Sequence, residues 1–387
     1  MEKEKRKIIN IFAFASFLND LGSDIIYPLW PLFIKSLKAN MVALGLIDGI
    51  GDAVVSLSSF FSGYLADRIK KRKIFVWLGY LFGSLSRLGY ALAKSWFILI
   101  PLKILDRFGK IRQAPRDAII ADVSDDKDRG RNFGFLRAMD NLGAVCGIII
   151  ALLFFKFLGF RKLFFLAALP SLIGVFLIII FIKEKKIEKN IKKDIKTFNF
   201  SFKFFDKDYY LYLFSSLLFS LSYFSYSFLL IYANNLGYQE AFIPLFYLIF
   251  TLTASLFSLP FGKLADKTSR KFTLFLGYLF WLIAILGFIY IKTKFLLFFL
   301  FLIYGLNKSA LEPSQKALVS ELSPIELRAT GIGFFQMVNG IIALFSSFIA
   351  GILWERFSMK TPFYFSFLLT ILATIILLFV KERRHLI

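Results

Sequence analysis

Asp20 and Asp24 stand one helical turn apart inside an apolar run, and Asp48 and Asp52 repeat that i, i+4 spacing in the next run. Arg87 lies deep in the third run. The fourth run carries Lys103, Asp106, Arg107, Lys110, Arg112, Arg116 and Asp117, and the fifth carries Arg137 and Asp140. Ionisable side chains within apolar spans are costly and mark pathways, proton relays or paired networks. Two chemistries suit them: a carboxylate that takes up and releases a proton, and ion pairs that part and re-form as helices move. Asp20, Asp24, Asp106, Arg107 and Lys110, with Arg87, Asp48 and Asp52, are read as substrate-binding or proton-coupling residues. Arg112, Arg116, Asp117, Arg137 and Asp140 lie toward one end of their spans and are read as a charge network on the cytoplasmic side. Acids and bases nearly balance across these runs, which favours internal pairing for the second set.

The elements that hold these groups are membrane spans. Hydrophobic residues make up 58% of 387, the mean hydropathy is +0.68 and Phe alone contributes 51 residues. A bilayer core of about 30 Å needs roughly twenty apolar residues per helix. The chain divides into such pieces near 8–34, 42–65, 74–93, 97–121, 132–155 and 163–182, then 209–234, 241–264, 273–290, 295–320, 330–352 and 361–380. The expected fold is an all-α membrane protein with 12 transmembrane helices. Cys146 is the single cysteine and His385 the single histidine, so neither a disulfide framework nor a Cys/His metal site is expected, and no cofactor is implied. The net charge of +22 does not point to nucleic acid, because the Lys and Arg cluster between apolar runs. The basic groups at Lys3 to Lys7, Arg68 to Lys73, Lys183 to Lys196, Lys263 to Lys271 and Lys381 to Arg384 all fall on one side, which the positive-inside rule assigns to the cytoplasm. Both termini are expected there, in a multi-pass protein of the cell (inner) membrane, and the basic start at Met1 reads as mature chain rather than signal peptide.

A repeat organises the spans. Gly63, Leu65, Ala66 and Asp67 recur 199 residues later as Gly262, Leu264, Ala265 and Asp266, and Gly134 recurs as Gly333. Each half holds an even number of spans, so the halves enter the membrane in the same direction, as two parallel six-helix repeats. The expected boundaries are an N-terminal six-helix bundle over 1–182, a basic cytoplasmic linker over 183–207 and a C-terminal six-helix bundle over 208–387.

Gly63-Tyr64-Leu65-Ala66-Asp67-Arg68 with Lys71 and Arg72, echoed by Gly262-Lys263-Leu264-Ala265-Asp266-Lys267 with Arg270, resembles the loop motif of the major facilitator superfamily. The resemblance covers the full chain. It implies that Gly63, Asp67, Arg68 and Arg72, with Gly262, Asp266 and Arg270, form a gating latch on the inner face. Lys70 and Ser269 stand where the family usually has a second Gly. The fourth span, with Asp106-Arg107-x-Gly109-Lys110, Ile111-Arg112 and Pro115-Arg116-Asp117-Ala118, resembles a prokaryotic permease and efflux subgroup whose first helix carries Asn-Asp before Tyr-Pro, as Asn19-Asp20 and Tyr27-Pro28 do here.

The resemblance implies a secondary active transporter that moves a small solute by alternating access as a monomer, with substrate between the halves. Proton coupling is expected from the intramembrane carboxylates, and efflux is favoured over uptake. Asn141 to Gly147 lacks the Pro usual in drug antiporters of the family. The C-terminal half offers a softer polar surface: Ser215, Ser216, Ser220, Ser222, Tyr223, Ser225, Tyr226 and Ser227, then Asn307, Lys308, Glu312 and Gln315. The alternative is a polytopic membrane enzyme or signalling scaffold, disfavoured because intramembrane hydrolase or metal chemistry calls for His partners.

Overall fold

The computed structural model describes residues 2–69, 72–125, 128–182, 205–291, 293–324 and 327–382, with the side chains at 2–3, 59–69 and 329 left aside. The expected linker therefore lies almost wholly outside the described residues, as do Lys70 and Lys71. No strand occurs among the described residues. The helices are α1 (Glu2–Ile26), α2 (Trp30–Ser36), α3 (Met41–Ile69), α4 (Arg72–Leu92), α5 (Trp96–Phe108), α6 (Gln113–Val123) and α7 (Arg129–Phe181). They continue with α8 (Lys207–Ser222), α9 (Tyr226–Asn235), α10 (Ile243–Lys267), α11 (Arg270–Tyr290), α12 (Leu296–Leu322), α13 (Arg328–Arg356) and α14 (Thr361–Phe379). Nine helical segments among the described residues are long and apolar enough to cross a membrane. Large apolar side chains such as Phe157, Leu256, Leu368 and Phe379 are exposed, as on a lipid-facing surface.

Helix α7 has 53 residues, about 80 Å at 1.5 Å per residue and more than twice the bilayer core. It reverses at Gly159, where φ is 65° and ψ −176°. The reversal is read from its packing on α1. A Cβ on Gly143 would meet the Phe17 carbonyl at 2.3 Å and one on Gly147 the Leu21 carbonyl at 2.3 Å, so numbers rise together there. In the second arm Ala167 faces Gly22 and Gly174 faces Ala15, so numbers run oppositely. The turn is held by Phe155 on Phe160 and by Phe33 on Phe164, with ring centroids 4.7 and 4.9 Å apart. Only glycine adopts this backbone without strain. No atom lies within 4 Å of a Cβ there, so Gly159→Ala is expected to cost backbone strain alone, about 1–3 kcal/mol. Thermal unfolding in detergent checks this, and an unchanged midpoint would refute it.

Short breaks separate three pairs of consecutive helices. α1 stops at Ile26 and α2 begins at Trp30 beside Pro28, and α8 stops at Ser222 and α9 begins at Tyr226, where Ser225 Oγ caps α9 by accepting from the Ser227 amide at 3.2 Å. Between α5 and α6 residues Gly109–Arg112 tighten into a 3-10 turn. Pro115 supplies no amide to Ile111, which removes one α-helical bond at that turn.

Contacts recur between α1–α7 and α8–α14 near the 199-residue offset. Arg72 Nη1 donates to Asp122 at 2.5 Å, and Arg270 pairs with Glu321. Lys73 donates to the Ile179 carbonyl at 2.8 Å and Lys271 to the Leu378 carbonyl at 2.7 Å. A Cβ on Gly89 would strike Leu102, and one on Gly287 would strike Leu300.

The two groups of helices meet along α3 and α13, which run antiparallel. A Cβ on Gly45 would lie 2.0 Å from the Ser347 carbonyl and one on Gly351 2.4 Å from the Met41 carbonyl. Lys35 donates to Asn234 at 2.9 Å, and the Met41 amide to Glu355 at 3.1 Å. All the hydrogen bonds between the groups among the described residues lie near the α2–α3 and α9–α10 ends or midway. Every ion pair among the described residues joins two residues of one group.

Candidate functional site

A cavity of about 430 Å³ opens between the two groups of helices. Its first wall carries Tyr27, Asp48, Asp52 and Arg107, and its second is aromatic, with Tyr223, Tyr226, Tyr247, Phe250 and Tyr304. Helix α3 presents Asp48 and Asp52 one turn apart, α5 presents Arg107, and the α1–α2 break presents Tyr27.

Asp48 is buried and fully engaged. Trp30 Nε1 donates to its Oδ1 at 2.8 Å, Lys103 Nζ lies 3.5 Å away, and Ser225 Oγ donates to its Oδ2 at 2.6 Å from across the cavity. Lys103 also sits 3.9 Å over the Trp30 ring. Arg107 Nη1 donates to Tyr27 Oη at 3.0 Å, and its Nε lies 3.8 Å from Asp106. Asp52 is exposed to the cavity and has no hydrogen-bond or ion-pair partner among the described residues.

Asp20 and Asp24 are treated differently. Asn19 Nδ2 donates to Asp20 at 2.8 Å. Asp24 is buried, receives only the Ser23 hydroxyl at 3.2 Å, and has no cation within salt-bridge distance among the described residues. Arg87 makes no ion pair with either carboxylate. It turns instead to Asn19 Oδ1 at 3.2 Å, to Ser171 and to the Ala167 carbonyl, bracing α4 against α1 and α7. The missing side chain of Gly22 admits the Ala167 carbonyl and the Arg87 guanidinium.

Of the five residues read as a charge network, the structure brings four together. Arg116 donates to Asp117 at 2.9 Å and to Ser16 at 2.7 Å, and it lies 3.7 Å from Asp140, which Arg137 approaches to 3.7 Å. Arg112 stands apart. The 3-10 turn rotates it onto the Gly109 carbonyl at 2.9 Å and over the Tyr80 ring at 4.9 Å. The same turn interrupts the α-helical spacing between Asp106 and Asp117, and Lys110 has no hydrogen-bond or ion-pair partner among the described residues. No cluster of three or more His, Cys, Asp or Glu side chains among the described residues could hold a metal ion.

The sequence profile of the Major Facilitator Superfamily matches residues 12–231 and again 212–386. The chain belongs to the major facilitator superfamily. It is a multi-pass membrane protein. An uncharacterized MFS-type transporter of Methanocaldococcus jannaschii is 36% identical over 98% of this chain and 96% of its own length. The quinolone resistance protein NorA of Staphylococcus aureus is 28% identical over 36% of each chain. Among solved structures, the nucleoside transporter NupG superposes with a TM-score of 0.83 at 14% identity, covering 97% of this chain and 100% of that one. A bacterial homolog of the human lysosomal transporter Spinster gives 0.78 at 13% identity, covering 97% and 96%. Three of these four are named as transporters and NorA as a resistance protein; none is named as an enzyme.

In this superfamily member the loop motif is only partly described. Gly63, Asp67 and Arg68 fall at the end of α3, where side chains lie outside the described residues. In the second copy Asp266 is exposed and Gly262 faces open space, while Ser269 and the Arg270 amide engage Glu382. Trp30, Tyr247 and Tyr304 escaped the sequence reading, and Lys103 entered it only as a countercharge. No spacing signal separates these aromatics from the lipid-facing ones.

Proposed function

We propose that the protein is a secondary active transporter that moves a small solute by alternating access, coupled to protons and working in the efflux direction. It does so as a monomer of twelve spans in two parallel six-helix repeats, over 1–182 and 208–387, joined by the basic linker. Both termini face the cytoplasm of the inner membrane. The observation that carries this reading is the cavity between the two groups of helices, closed near the α2–α3 end by the α3–α13 seam and by Ser225 on Asp48. The recurring Arg72–Asp122 and Arg270–Glu321 pairs support the repeat. Asp24 supports coupling, because it can exchange a proton without breaking an ion pair. The efflux direction is supported by the partial likeness to a protein named for quinolone resistance, which expulsion of a drug from the cell would confer.

Liposomes containing the purified protein and a trapped pH dye test the reading. Addition of members of a solute library should elicit proton movement absent from empty liposomes. Silence across the library, with exchange also absent, would reject it. Ser225→Ala removes a bond between the two groups of helices but leaves Asp48 with Lys103 and Trp30. It is therefore expected to shift the resting population toward the state open at the α2–α3 end, by about fivefold for a hydrogen bond worth about 1 kcal/mol. Labelling of a cysteine placed at Tyr226 reads this shift, and equal labelling in both backgrounds would count against the gate.

A further inference from the structure

The charges that line the cavity cancel in pairs except one. Asp48 is matched by Lys103, Arg107 has Asp106 at 3.8 Å, and Lys308 lies 3.6 Å from Glu312. Asp52 is left with no partner among the described residues, exposed to the cavity. Facing this wall is a continuous run of rings. Tyr226 touches Tyr247 at 5.1 Å between centroids, Tyr247 touches Phe250 at 5.7 Å, Phe250 stacks on Tyr304 at 4.3 Å, and Tyr304 meets Tyr223 at 5.9 Å. The ring faces already attract a cation of the chain itself, since Lys308 Nζ lies 5.2 Å over Phe250.

We infer that the cavity selects an aromatic organic monocation, with its positive centre at Asp52 and its ring against the Tyr247–Phe250–Tyr304 wall. This rests on the reading of the cavity as a solute site. One uncompensated negative charge favours one positive charge on the ligand: a neutral solute leaves Asp52 unmatched, and an anion adds repulsion in a space walled by low-dielectric rings. The aromatic faces carry negative quadrupole potential, so they favour the cation as well as the ring. A volume of about 430 Å³ admits a ligand of drug-like size. An inorganic cation would find no cluster of three or more acidic, His or Cys ligands among the described residues to replace its hydration shell.

Isothermal titration of the full-length protein in detergent tests this with three probes: benzyltrimethylammonium, the similarly shaped phenylmethanesulfonate, and tetramethylammonium, which lacks the ring. The first should bind at least about tenfold more tightly than either of the others, and Asp52→Asn should weaken it by about tenfold. Tyr304→Leu should weaken benzyltrimethylammonium more than tetramethylammonium, and this arm stands if Asp52→Asn fails to fold. Sulfonate bound as tightly as the ammonium, or benzyltrimethylammonium affinity unchanged in Asp52→Asn or Tyr304→Leu, overturns the inference. Counterflow in liposomes separates the two readings. Exchange of other solutes with no ammonium binding sinks the substrate class alone. Ammonium binding without exchange of any solute upholds the site and sinks transport.

Discussion

Asp24→Asn is expected to abolish uphill transport driven by a pH gradient, down to the level of empty liposomes, while counterflow exchange of the same solute continues. Asn has the shape of the neutral acid and cannot release a proton, so it holds the group in one of its two states. Asp24 is buried with the Ser23 hydroxyl as its single donor, and among the described residues it makes no ion pair that protonation would break. Asp20, one turn earlier, already accepts from Asn19 and is less buried, so Asp20→Asn is the control with the smaller expected loss. Accumulation, counterflow and purification yield measured together decide the matter. Joint loss of all three would make Asp24 a structural residue. Accumulation equal to the parent's would remove it from the coupling step and turn attention to Asp20 and Asp106.

Lys103→Met should be the most destabilising substitution in the cavity wall. Lys103 is 3% exposed, 3.5 Å from Asp48 and seated over Trp30. Met fills much of the same volume, so the loss is chiefly electrostatic: a buried carboxylate is left with neutral donors only. Breaking one member of a buried pair costs about 3–5 kcal/mol. The double substitution Lys103→Met with Asp48→Asn removes both charges and should recover most of that, since an uncharged amide can still meet Trp30 and Ser225. Thermal unfolding of the two single variants and the double gives the coupling directly. A single variant as stable as the parent would show that the pair contributes nothing.

The apolar lengths made the helices readable, because hydrocarbon thickness leaves little choice of span, and the recurring Gly-x-Leu-Ala-Asp segments are what motivate the proposed repeat. Asp24, Asp48, Asp52 and Arg107 could also be picked out, since a charge in an apolar run is conspicuous whatever it touches. Their partners could not. Whether Lys103 meets Asp48 depends on how α5 is rotated against α3, and hydropathy carries no record of rotation. The phase of α6 relative to α5 was lost for a local reason, the 3-10 turn at Gly109–Arg112, which carried Arg112 away from Arg116. Tyr247 and Tyr304 were hidden by composition. Among 51 Phe and 16 Tyr, nothing in the spacing separates a ring facing the cavity from one facing lipid.

Each ion pair among the described residues closes within its own group of helices, and the seam between the groups is backbone against backbone at Gly45 and Gly351. In the proposed transport cycle, exchanging one access state for the other therefore separates none of those opposite charges. Dissolved salt screens exposed charges beyond about 8 Å at physiological ionic strength, but it has little here to act on differently in the two states. In the proposed cycle, the ion pairs among the described residues thus add no salt-dependent term to the balance between the two states.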